Sequence, residues 1–558
     1  MKKLLAFMLM FTFAIVLVGC GGDLVPQSVE ITGTQTVEAG KDVQLTAAVL
    51  PEGVEQGVTW SSARTDIASV DTNGKVTGVK VGATIIRATS TAVETVYGQI
   101  RITVTASGEI SKPDLGGYTI KIAQAGHALQ GIDPFHPDYA AQNKVAKQQA
   151  WEWVEENYNC EIQVVAYPDD AEWGTPRWNY ILNQAAAQTA DYDFYTVPDA
   201  RIGTFVEGQA IIDVSDWYAL YGQGYMDAVY QQSGTYKGSL YSITDGESGI
   251  YNVMYYNINL LAELGMEKTP AEMFNEGTWT YTAFKDYAVA AQTALNAKGE
   301  GYWAVAGCSP YYWVGMTNAG GVKIADISTM KMNLKDPVAV QAATILKEIK
   351  AAGAMDPLKQ VDQNVASWMN GKALFSSGDL WFVNTSNRWP ENLWGEGELT
   401  KYGYVPFPRP DAITKAQQKL GLTGTATFVM PNFRDYSAFG AECTAENVYR
   451  ALVDTFLKTK EFQEGAPGYD EQALLQAFAE RYAESPDSVQ AFMFIAGNAK
   501  DIGFYEPLAE PGNAVINTGY STFSTEVNKF VMGDYASWAD AIDPLIETLE
   551  ENLRKAFS

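Results

Sequence analysis

Residues 118–123 read YTIKIA and residues 160–167 read CEIQVVAY, and a longer segment with a different periodicity separates them. Both quoted stretches are short and rich in β-branched residues, which is typical of strands. Between them Ala146, Ala150 and Val154 recur at four-residue spacing, which predicts a helix with one buried face. The order of elements that begins the main part of this chain is therefore strand, helix, strand.

The same alternation continues along the chain. Residues 178–189 predict a second helix, and residues 193–197 (DFYTV) predict a third strand. Strands that alternate with helices form a parallel sheet with right-handed crossovers. Near the other end, Asp543 has the chemistry of a helix N-cap and Pro544 that of a first helical residue, so we expect a helix to begin there.

The first residues have the pattern of an export signal. Lys2 and Lys3 precede an apolar run over 4–18, which ends at Gly19-Cys20. This run is too short for a stable membrane span, and it predicts a signal peptide over 1–20. The cysteine has the position of a lipidated lipobox residue, with 21–27 as a flexible tether. The alternative is an ordinary signal peptide that contains a cysteine. Lipidation predicts attachment to the outer face of the cytoplasmic membrane by acyl chains alone.

Composition excludes several classes of protein. A length of 558 residues predicts several domains, and a hydrophobic content of 47% excludes disorder throughout. The net charge of −27 disfavours nucleic acid and strongly anionic ligands. Only His127 and His136 are available for a histidine-based site, and no cysteine pair has metal spacing, so we expect no metal and no cofactor. Cys160, Cys308 and Cys443 are either buried free thiols or include one disulfide.

Residues 28–106 alternate apolar and polar residues with a period of two and carry turns such as Asn73-Gly74. Roughly six or seven short strands predict a small β-sandwich. Residues 107–117 are rich in glycine and proline and read as a linker.

This sandwich resembles the group 2 bacterial Ig-like domain. The resemblance is carried by WSS at 60–62, ASVDTNGKVTG at 68–78 and GATII at 82–86. It implies an all-β module of the kind that serves as a spacer or adhesive unit. Trp60 is expected to be a core residue rather than a ligand platform.

The remaining region, residues 118–558, resembles the family 1 extracellular solute-binding proteins of ABC importers, in the carbohydrate-binding, maltose-binding-protein-like branch. Weak motifs carry the resemblance by their order along the chain: DYDFY at 191–195, VEGQAIID at 206–213, YKGSLYSI at 236–243, GTWT at 277–280, WMNGKA at 368–373, SGDLW at 377–381 and YVPFP at 404–408. The resemblance implies a two-lobed α/β domain of the type II periplasmic-binding-protein class. It also implies a ligand cleft between the lobes and a separate permease as partner.

The resemblance also suggests where the ligand binds. Asp199 follows the third strand, where the family places polar contacts, although a helix cap or surface pair is an alternative. Ser309, Tyr311 and Trp313 lie where the sugar-binding branch places aromatic residues, and a buried core stripe is the alternative for them. Trp381 resembles the family's cleft tryptophan.

Several other residues are weaker candidates. Tyr520 lies near a later cleft segment. Gln124 and His127 follow the first strand, where a lone histidine is expected to be structural. Asp245 and Glu247 are expected to be solvated hinge carboxylates.

Taken together, these patterns predict a monomeric, lipid-anchored receptor that captures a neutral oligosaccharide and has no catalytic residue. Flat aromatic faces pack on sugar rings, and planar polar groups bind the hydroxyls. A surface glycan-binding adhesin is one alternative, because an Ig-like module is present. A glycoside hydrolase is another, since an acid/base pair is defined by its separation in space. Residues 371–373 do not complete a nucleotide-binding motif, so the importer's ATPase is a separate chain.

Overall fold

The computed structural model describes residues 25–557, apart from 52, 81, 106–111, 140, 142, 246–251, 359, 361–363, 384–387, 396–400, 424–425 and 510–520. The expectations for Cys20, Glu247 and Tyr520 therefore concern residues outside the described part. The chain divides into two compact units, with the boundary between residues 111 and 112.

The first unit consists of two four-stranded sheets with the strand orders β1-β3-β6-β5 and β2-β8-β7-β4. Its strands are β1 (Ser28–Gly33), β2 (Thr36–Glu38), β3 (Asp42–Leu50), β4 (Val58–Ser62), β5 (Ala68–Val70), β6 (Lys75–Gly78), β7 (Gly82–Ser90) and β8 (Tyr97–Thr105). Buried residues of both sheets, such as Leu45 and Ile102, share one core. The expected all-β Ig-like sandwich is confirmed, with more strands than the pattern predicts because three-residue strands are too short to show alternation.

Trp60 is half-buried and packs against both apolar clusters of this unit. Gly74, in the Asn-Gly turn, has a φ of +80°, and a Cβ there would lie 2.8 Å from the Trp60 ring. The turn therefore needs glycine both for its backbone and for the approach of the indole.

The second unit is an α/β structure. Its strands are β9 (Tyr118–Gln124), β10 (Cys160–Ala166), β11 (Phe194–Pro198), β12 (Thr235–Tyr236), β13 (Ser239–Leu240), β14 (Ser242–Ile243), β15 (Asn252–Asn257), β16 (Trp303–Ala306), β17 (Ala325–Asp326), β18 (Lys331–Met332), β19 (Ala373–Asp379), β20 (Tyr402–Val405), β21 (Leu420–Leu422), β22 (Ala426–Val429) and β23 (Gly503–Tyr505). Its helices are α1 (Lys144–Tyr158), α2 (Gly174–Ala186), α3 (Ile202–Glu207), α4 (Ser215–Tyr221), α5 (Ala228–Ser233), α6 (Ile258–Glu263), α7 (Pro270–Asn275), α8 (Tyr281–Leu295), α9 (Ser309–Ala319), α10 (Pro337–Ala351), α11 (Ala366–Met369), α12 (Ala445–Glu464), α13 (Glu471–Glu480), α14 (Pro486–Gly497), α15 (Ala499–Ile502), α16 (Ser521–Met532) and α17 (Trp538–Phe557).

These elements form two lobes, each built on one mixed sheet. The first-lobe sheet has the order β10-β9-β11-β22-β14, and the second-lobe sheet has the order β16-β19-β15-β20. The chain enters the second lobe at β15, returns to the first through β22 and α12, and ends in the second with α13 to α17. This is the expected two-lobed α/β architecture, which is confirmed.

The first-lobe sheet is covered on both faces. Phe194 and Phe428 belong to one buried cluster, and their chain neighbours Tyr195 and Val429 belong to another. Successive residues of a strand point to opposite faces, so these strands place apolar residues on both faces of the sheet. Helix α1 has the predicted buried stripe and packs on this lobe.

The last helix begins earlier than the sequence predicts. It starts at Trp538 rather than after Asp543, and Pro544 lies inside it. Ser537 and Asp540 exchange backbone-to-side-chain hydrogen bonds, which caps the helix at this earlier point. The indole of Trp538 is buried and donates to the carbonyl of Leu334 at 2.8 Å, which holds the first turn in place.

Candidate functional site

The strands β9, β10 and β11 are parallel, so their carboxyl ends share one edge, which we call the first-lobe edge. Gln124 ends β9, and its backbone carbonyl accepts from the N–H of Tyr167, which follows β10, at 2.9 Å. The hydroxyl of Thr196, in β11, donates to Oε1 of Gln124 at 2.9 Å. Gln124 thus links the carboxyl ends of β9, β10 and β11 by hydrogen bonds.

Asp199 begins the loop that follows β11 at this edge. Its side chain is buried, and Oδ2 accepts from the hydroxyl of Tyr505 at 3.2 Å. Tyr505 ends β23, and the next residue, Glu506, donates its N–H to the carbonyl of Leu422 in β21. Because β21 and β23 pack with the second lobe, the contact between Asp199 and Tyr505 joins the two lobes.

A second polar contact links the loops after β9 and β10. Nδ1 of His127 lies 3.1 Å from Oε1 of Glu172, and the backbone N–H of His127 donates to the same oxygen. These hydrogen bonds hold the pKa of Glu172 below its usual range. Both side chains are exposed, and the contact fits the structural role expected of His127.

The second lobe has a corresponding edge. Strands β16 and β19 are parallel, and Asn252, the first residue of the antiparallel strand β15, pairs with Asp379 at the end of β19. We call this the second-lobe edge. Asn252 is seven residues after Asp245 in the chain, and an extended segment of that length spans at most about 25 Å. The second-lobe edge therefore begins within about 25 Å of Asp245, the last described residue of the first lobe before the crossover.

Ser309 and Tyr311 lie in the first turn of α9, directly after β16. The side chain of Asn252 donates to the carbonyl of Tyr311 at 2.8 Å. Oγ of Ser309 lies 2.9 Å from Oδ1 of Asn528 in α16. The structure thus brings both predicted residues to the second-lobe edge, where both side chains are buried.

Trp381 follows β19 at the same edge and is 41% exposed. Its Nε1 donates to Oδ2 of Asp379 at 3.2 Å. The guanidinium carbon of Arg388 lies 5.0 Å from the centre of the indole, and Phe382 meets it edge-on at 4.7 Å. Trp381 therefore presents an oriented aromatic surface at the second-lobe edge.

Trp313 has a different environment from the one expected of a ligand-binding residue. Its side chain is fully buried, packs on Phe523 and Trp538, and donates from Nε1 to the carbonyl of Ala339 at 2.9 Å. Trp313 is therefore a core residue of the second lobe in this structure. The reason is that α9 is buried on nearly all sides, so only residues of its first turn reach the edge.

Two residues at these edges were not anticipated from the sequence. Tyr505 lies in a three-residue strand that has no periodic pattern. Trp173 precedes α2 in the loop after β10 and is 63% exposed. Ligands of open α/β sheets bind beyond the carboxyl ends of strands, and both Trp173 and Asp199 have such a position.

Glu506, next to Tyr505, is a fully buried carboxylate. It accepts from the backbone N–H groups of Ile324, Ala325 and Leu508 and from the side chain of Asn318. Burial raises the pKa of Glu506 to about 7, and the hydrogen bonds only partly offset this effect. This carboxylate anchors the strand that carries Tyr505 to the second lobe.

Within the described residues, no group of three or more histidine, cysteine or acidic side chains has the arrangement of a metal site. No helix in the described part is long and apolar enough to cross a membrane. Cys160, Cys308 and Cys443 are buried, and none of them forms a disulfide bond within the described residues.

Comparison with known proteins gives the class of this chain. A family model for bacterial extracellular solute-binding proteins matches residues 148–442. This match covers more than half of the chain, and the chain belongs to that family. A second model, for the group 2 bacterial Ig-like domain, matches residues 26–100. Both resemblances drawn from the sequence are therefore confirmed.

A solved structure shares the fold of the second unit. The cyclic α-maltosyl-1,6-maltose binding protein from Arthrobacter globiformis is 14% identical with a TM-score of 0.51, and the match covers 79% of this chain and all of that one. A cyclo/maltodextrin-binding protein complexed with maltotetraose is 16% identical with a TM-score of 0.49, over 81% of this chain and all of that one. The family and these neighbours are binding proteins.

Two curated relatives match only short stretches. The lacto-N-biosidase of Bifidobacterium bifidum is 35% identical over 81 residues, which is 14% of this chain and 7% of that protein. A 3-O-alpha-D-galactosyl-alpha-L-arabinofuranosidase of Bifidobacterium longum is 35% identical over 91 residues, which is 16% of this chain and 8% of that protein. The chain thus spans less than a tenth of the length of either relative, and neither activity is carried over.

Proposed function

We propose that this protein is a lipid-anchored receptor that captures a neutral oligosaccharide between its lobes and delivers it to the permease of an ABC importer. The observation that carries the proposal is a polar contact between the lobes at the first-lobe edge. One edge holds the buried carboxylate Asp199 in contact with Tyr505 of the other lobe, and the other edge presents the exposed indole of Trp381.

The chemistry of these groups suits a sugar. An exposed indole face packs against the apolar C–H face of a pyranose ring, and a carboxylate accepts hydrogen bonds from hydroxyls. Ser309 and Tyr311 belong to the same proposed site, as does Tyr520, which lies outside the described residues. A net charge of −27 favours a neutral ligand over a phosphorylated or uronic one. The structural neighbour that shares this fold binds a cyclic maltosyl-maltose, which supports the same ligand class.

Delivery requires that the permease recognises the loaded receptor. A ligand that contacts both lobes binds the closed arrangement more tightly and shifts the population toward it. The permease then recognises the closed conformation of the receptor, and a separate ATPase supplies the energy for transport. The receptor itself acts as a monomer and uses no catalytic group.

Membrane attachment is proposed through lipidation of Cys20 after removal of the signal peptide over 1–20. Replacement by Cys20→Ala should release the protein from membranes or leave it unprocessed. A processed Cys20→Ala variant that remains in the membrane fraction would exclude lipidation as the means of attachment.

The Ig-like module over 28–106, with the tether 21–27 and the linker 107–117, is proposed to lift the solute-binding domain over 118–558 from the bilayer. A chain that begins at Lys112 should fold and bind ligand as tightly as the complete chain. Weaker binding by a well-folded truncated chain would show that the module contributes to the site.

The ligand class is tested by calorimetry on the purified protein with neutral oligosaccharides, uronic-acid oligosaccharides and short peptides. The proposal predicts saturable binding of neutral oligosaccharides alone. Tight binding of peptides, or of acidic sugars only, would contradict it. Cleavage of the sugar during the titration would favour a glycoside hydrolase, and binding confined to the Ig-like unit would favour an adhesin.

A further inference from the structure

Trp173 occupies the same kind of position in the first lobe as Trp381 does in the second. It follows β10 at the first-lobe edge and directly precedes α2. With 63% of its surface exposed, it is more exposed than Trp381, which is 41% exposed. Tryptophan is among the residue types enriched at the centres of binding sites, because its large flat ring loses little conformational freedom on binding.

The Trp173 ring is supported from within the lobe. The guanidinium carbon of Arg177 lies 5.1 Å from the centre of the indole, and Trp178 meets it at a steep angle at 6.3 Å. Arg177 is itself buried and also lies 4.2 Å from the centre of the Tyr167 ring. The support is therefore part of the packed lobe and not a mobile surface side chain.

Arg177 also ties Trp173 to the strand that leads to Asp199. Its Nη1 donates to the carbonyl of Thr196 in β11 at 3.4 Å, and its Nη2 donates to the carbonyl of Glu172. The loop that carries Trp173 and the strand that precedes Asp199 are thus held by the same side chain. Trp173 and Asp199 consequently keep a fixed relation at the first-lobe edge.

The surroundings of Trp173 leave space for a ligand. The next residue, Gly174, has a φ of +66°. Outside its chain neighbours and its own helix, no described atom lies within 4 Å of the position that a Cβ at Gly174 would take. Each lobe therefore presents an exposed indole, packed against an arginine, at the carboxyl end of its sheet.

We propose that Trp173 is a stacking platform for a sugar ring on the first lobe, which makes the ligand an oligosaccharide with separate rings on Trp173 and Trp381. This inference rests on the proposed function and specifies it further. A single ring can occupy only one platform, so the contribution of Trp173 should grow with the number of sugar units.

The test is calorimetry with neutral hexose oligosaccharides of increasing length on the complete chain. We expect Trp173→Ala to weaken binding of the longer oligosaccharides about tenfold, and Trp173→Phe to restore most of the loss. The matched control is Phe439→Ala, which removes an aromatic ring that is 40% exposed and packs on Tyr118 at the opposite, amino edge of the same sheet. It should leave the affinity unchanged.

Wild-type affinity of Trp173→Ala for every oligosaccharide, together with loss of binding by Trp381→Ala, would overturn this inference and leave the proposed function standing. An equal loss for short and long sugars would also overturn it. If the unmodified protein binds no saccharide, the proposed function fails and this inference fails with it. The Trp173 ring is mostly exposed, so its removal should not destabilise the protein. An unchanged thermal unfolding temperature will show that the variant is folded.

Discussion

The hydroxyl of Tyr505 lies 3.2 Å from Oδ2 of Asp199, although 306 positions separate the two residues in the chain. Asp199 leaves the carboxyl end of a first-lobe strand, and Tyr505 ends a short strand that packs on the second lobe. Both side chains are buried, so this contact is made in a region from which water is excluded. We interpret it as a contact of the closed arrangement of the lobes.

We expect Tyr505→Phe to weaken ligand binding because it removes this contact between the lobes. A hydrogen bond typically contributes about 1 kcal/mol, which corresponds to roughly fivefold in the population of the closed arrangement. The apparent dissociation constant should rise by a similar factor, since it scales with the fraction of competent protein. Calorimetry measures the affinity, and small-angle X-ray scattering of the free protein should show a larger radius of gyration.

The matched control is Tyr449→Phe. Tyr449 is buried in the first lobe, and its hydroxyl has no hydrogen-bond partner among the described residues. Loss of the Tyr449 hydroxyl should change neither the ligand affinity nor the radius of gyration. Asp199→Asn keeps an oxygen acceptor and should cost less than Tyr505→Phe. Equal affinities for Tyr505→Phe and the unmodified protein would mean that the contact has no part in closure.

A second contact between the lobes involves Tyr236 and the end of α17. The hydroxyl of Tyr236, in β12 of the first lobe, lies 3.0 Å from the carbonyl oxygen of Lys555 and 2.9 Å from Oε1 of Glu207. Carbonyl groups in the last turn of a helix have no partner within the helix, so an external donor stabilises that turn. We expect Tyr236→Phe to increase hydrogen–deuterium exchange in the last turn of α17.

Mass spectrometry of peptic fragments measures this exchange. Tyr255→Phe is the control, because its buried hydroxyl has no hydrogen-bond partner in the described part of the chain. Unchanged exchange in Tyr236→Phe would indicate that α17 is held by its apolar contacts alone.

Glu506 should make the free energy of unfolding depend on pH. Its folded-state pKa of about 7 is above the ordinary value of 4.5, so the folded protein binds more protons than the unfolded chain between these values. The contribution of Glu506 to the free energy of unfolding therefore falls by roughly 3 kcal/mol as pH rises from 4.5 to 7, and it is constant above that range. Urea unfolding across this range measures the effect.

The variant Glu506→Gln cannot ionise and isolates this contribution. The difference in unfolding free energy between the unmodified protein and the variant should decrease steadily from pH 4.5 to 7. A difference that stays constant over this range would show that Glu506 does not titrate there.

The sequence predicts the layout of this protein better than it predicts the site. Strand and helix periodicities are local, so β9, α1 and β10 are found from their own residues, whereas Asp199 is suggested by the family resemblance. Tyr505 could not be found in this way, because its strand is three residues long and its partner is 306 positions distant.

The aromatic residues show a different limit. Tyr311 and Trp313 are two positions apart in α9, which is buried on nearly all sides, and periodicity cannot say which of them reaches an edge. Trp173 has no motif around it, and only the packing of Arg177 indicates that its ring is held in place. The start of α17 was misplaced because Pro544 is a typical first residue, whereas the cap is made by Ser537 and Asp540.

The central claim, that a sugar binds between the lobes, is tested most directly by calorimetry of neutral oligosaccharides on the unmodified protein and on Trp381→Ala. Removal of a stacking indole at the centre of a binding site typically costs about 2 kcal/mol or more, so the account predicts binding by the unmodified protein and an affinity roughly thirtyfold lower in the variant. Phe439→Ala, at the opposite edge of the first-lobe sheet, should bind as the unmodified protein does. Unchanged affinity in Trp381→Ala, or the absence of any saccharide binding by the unmodified protein, would contradict the account.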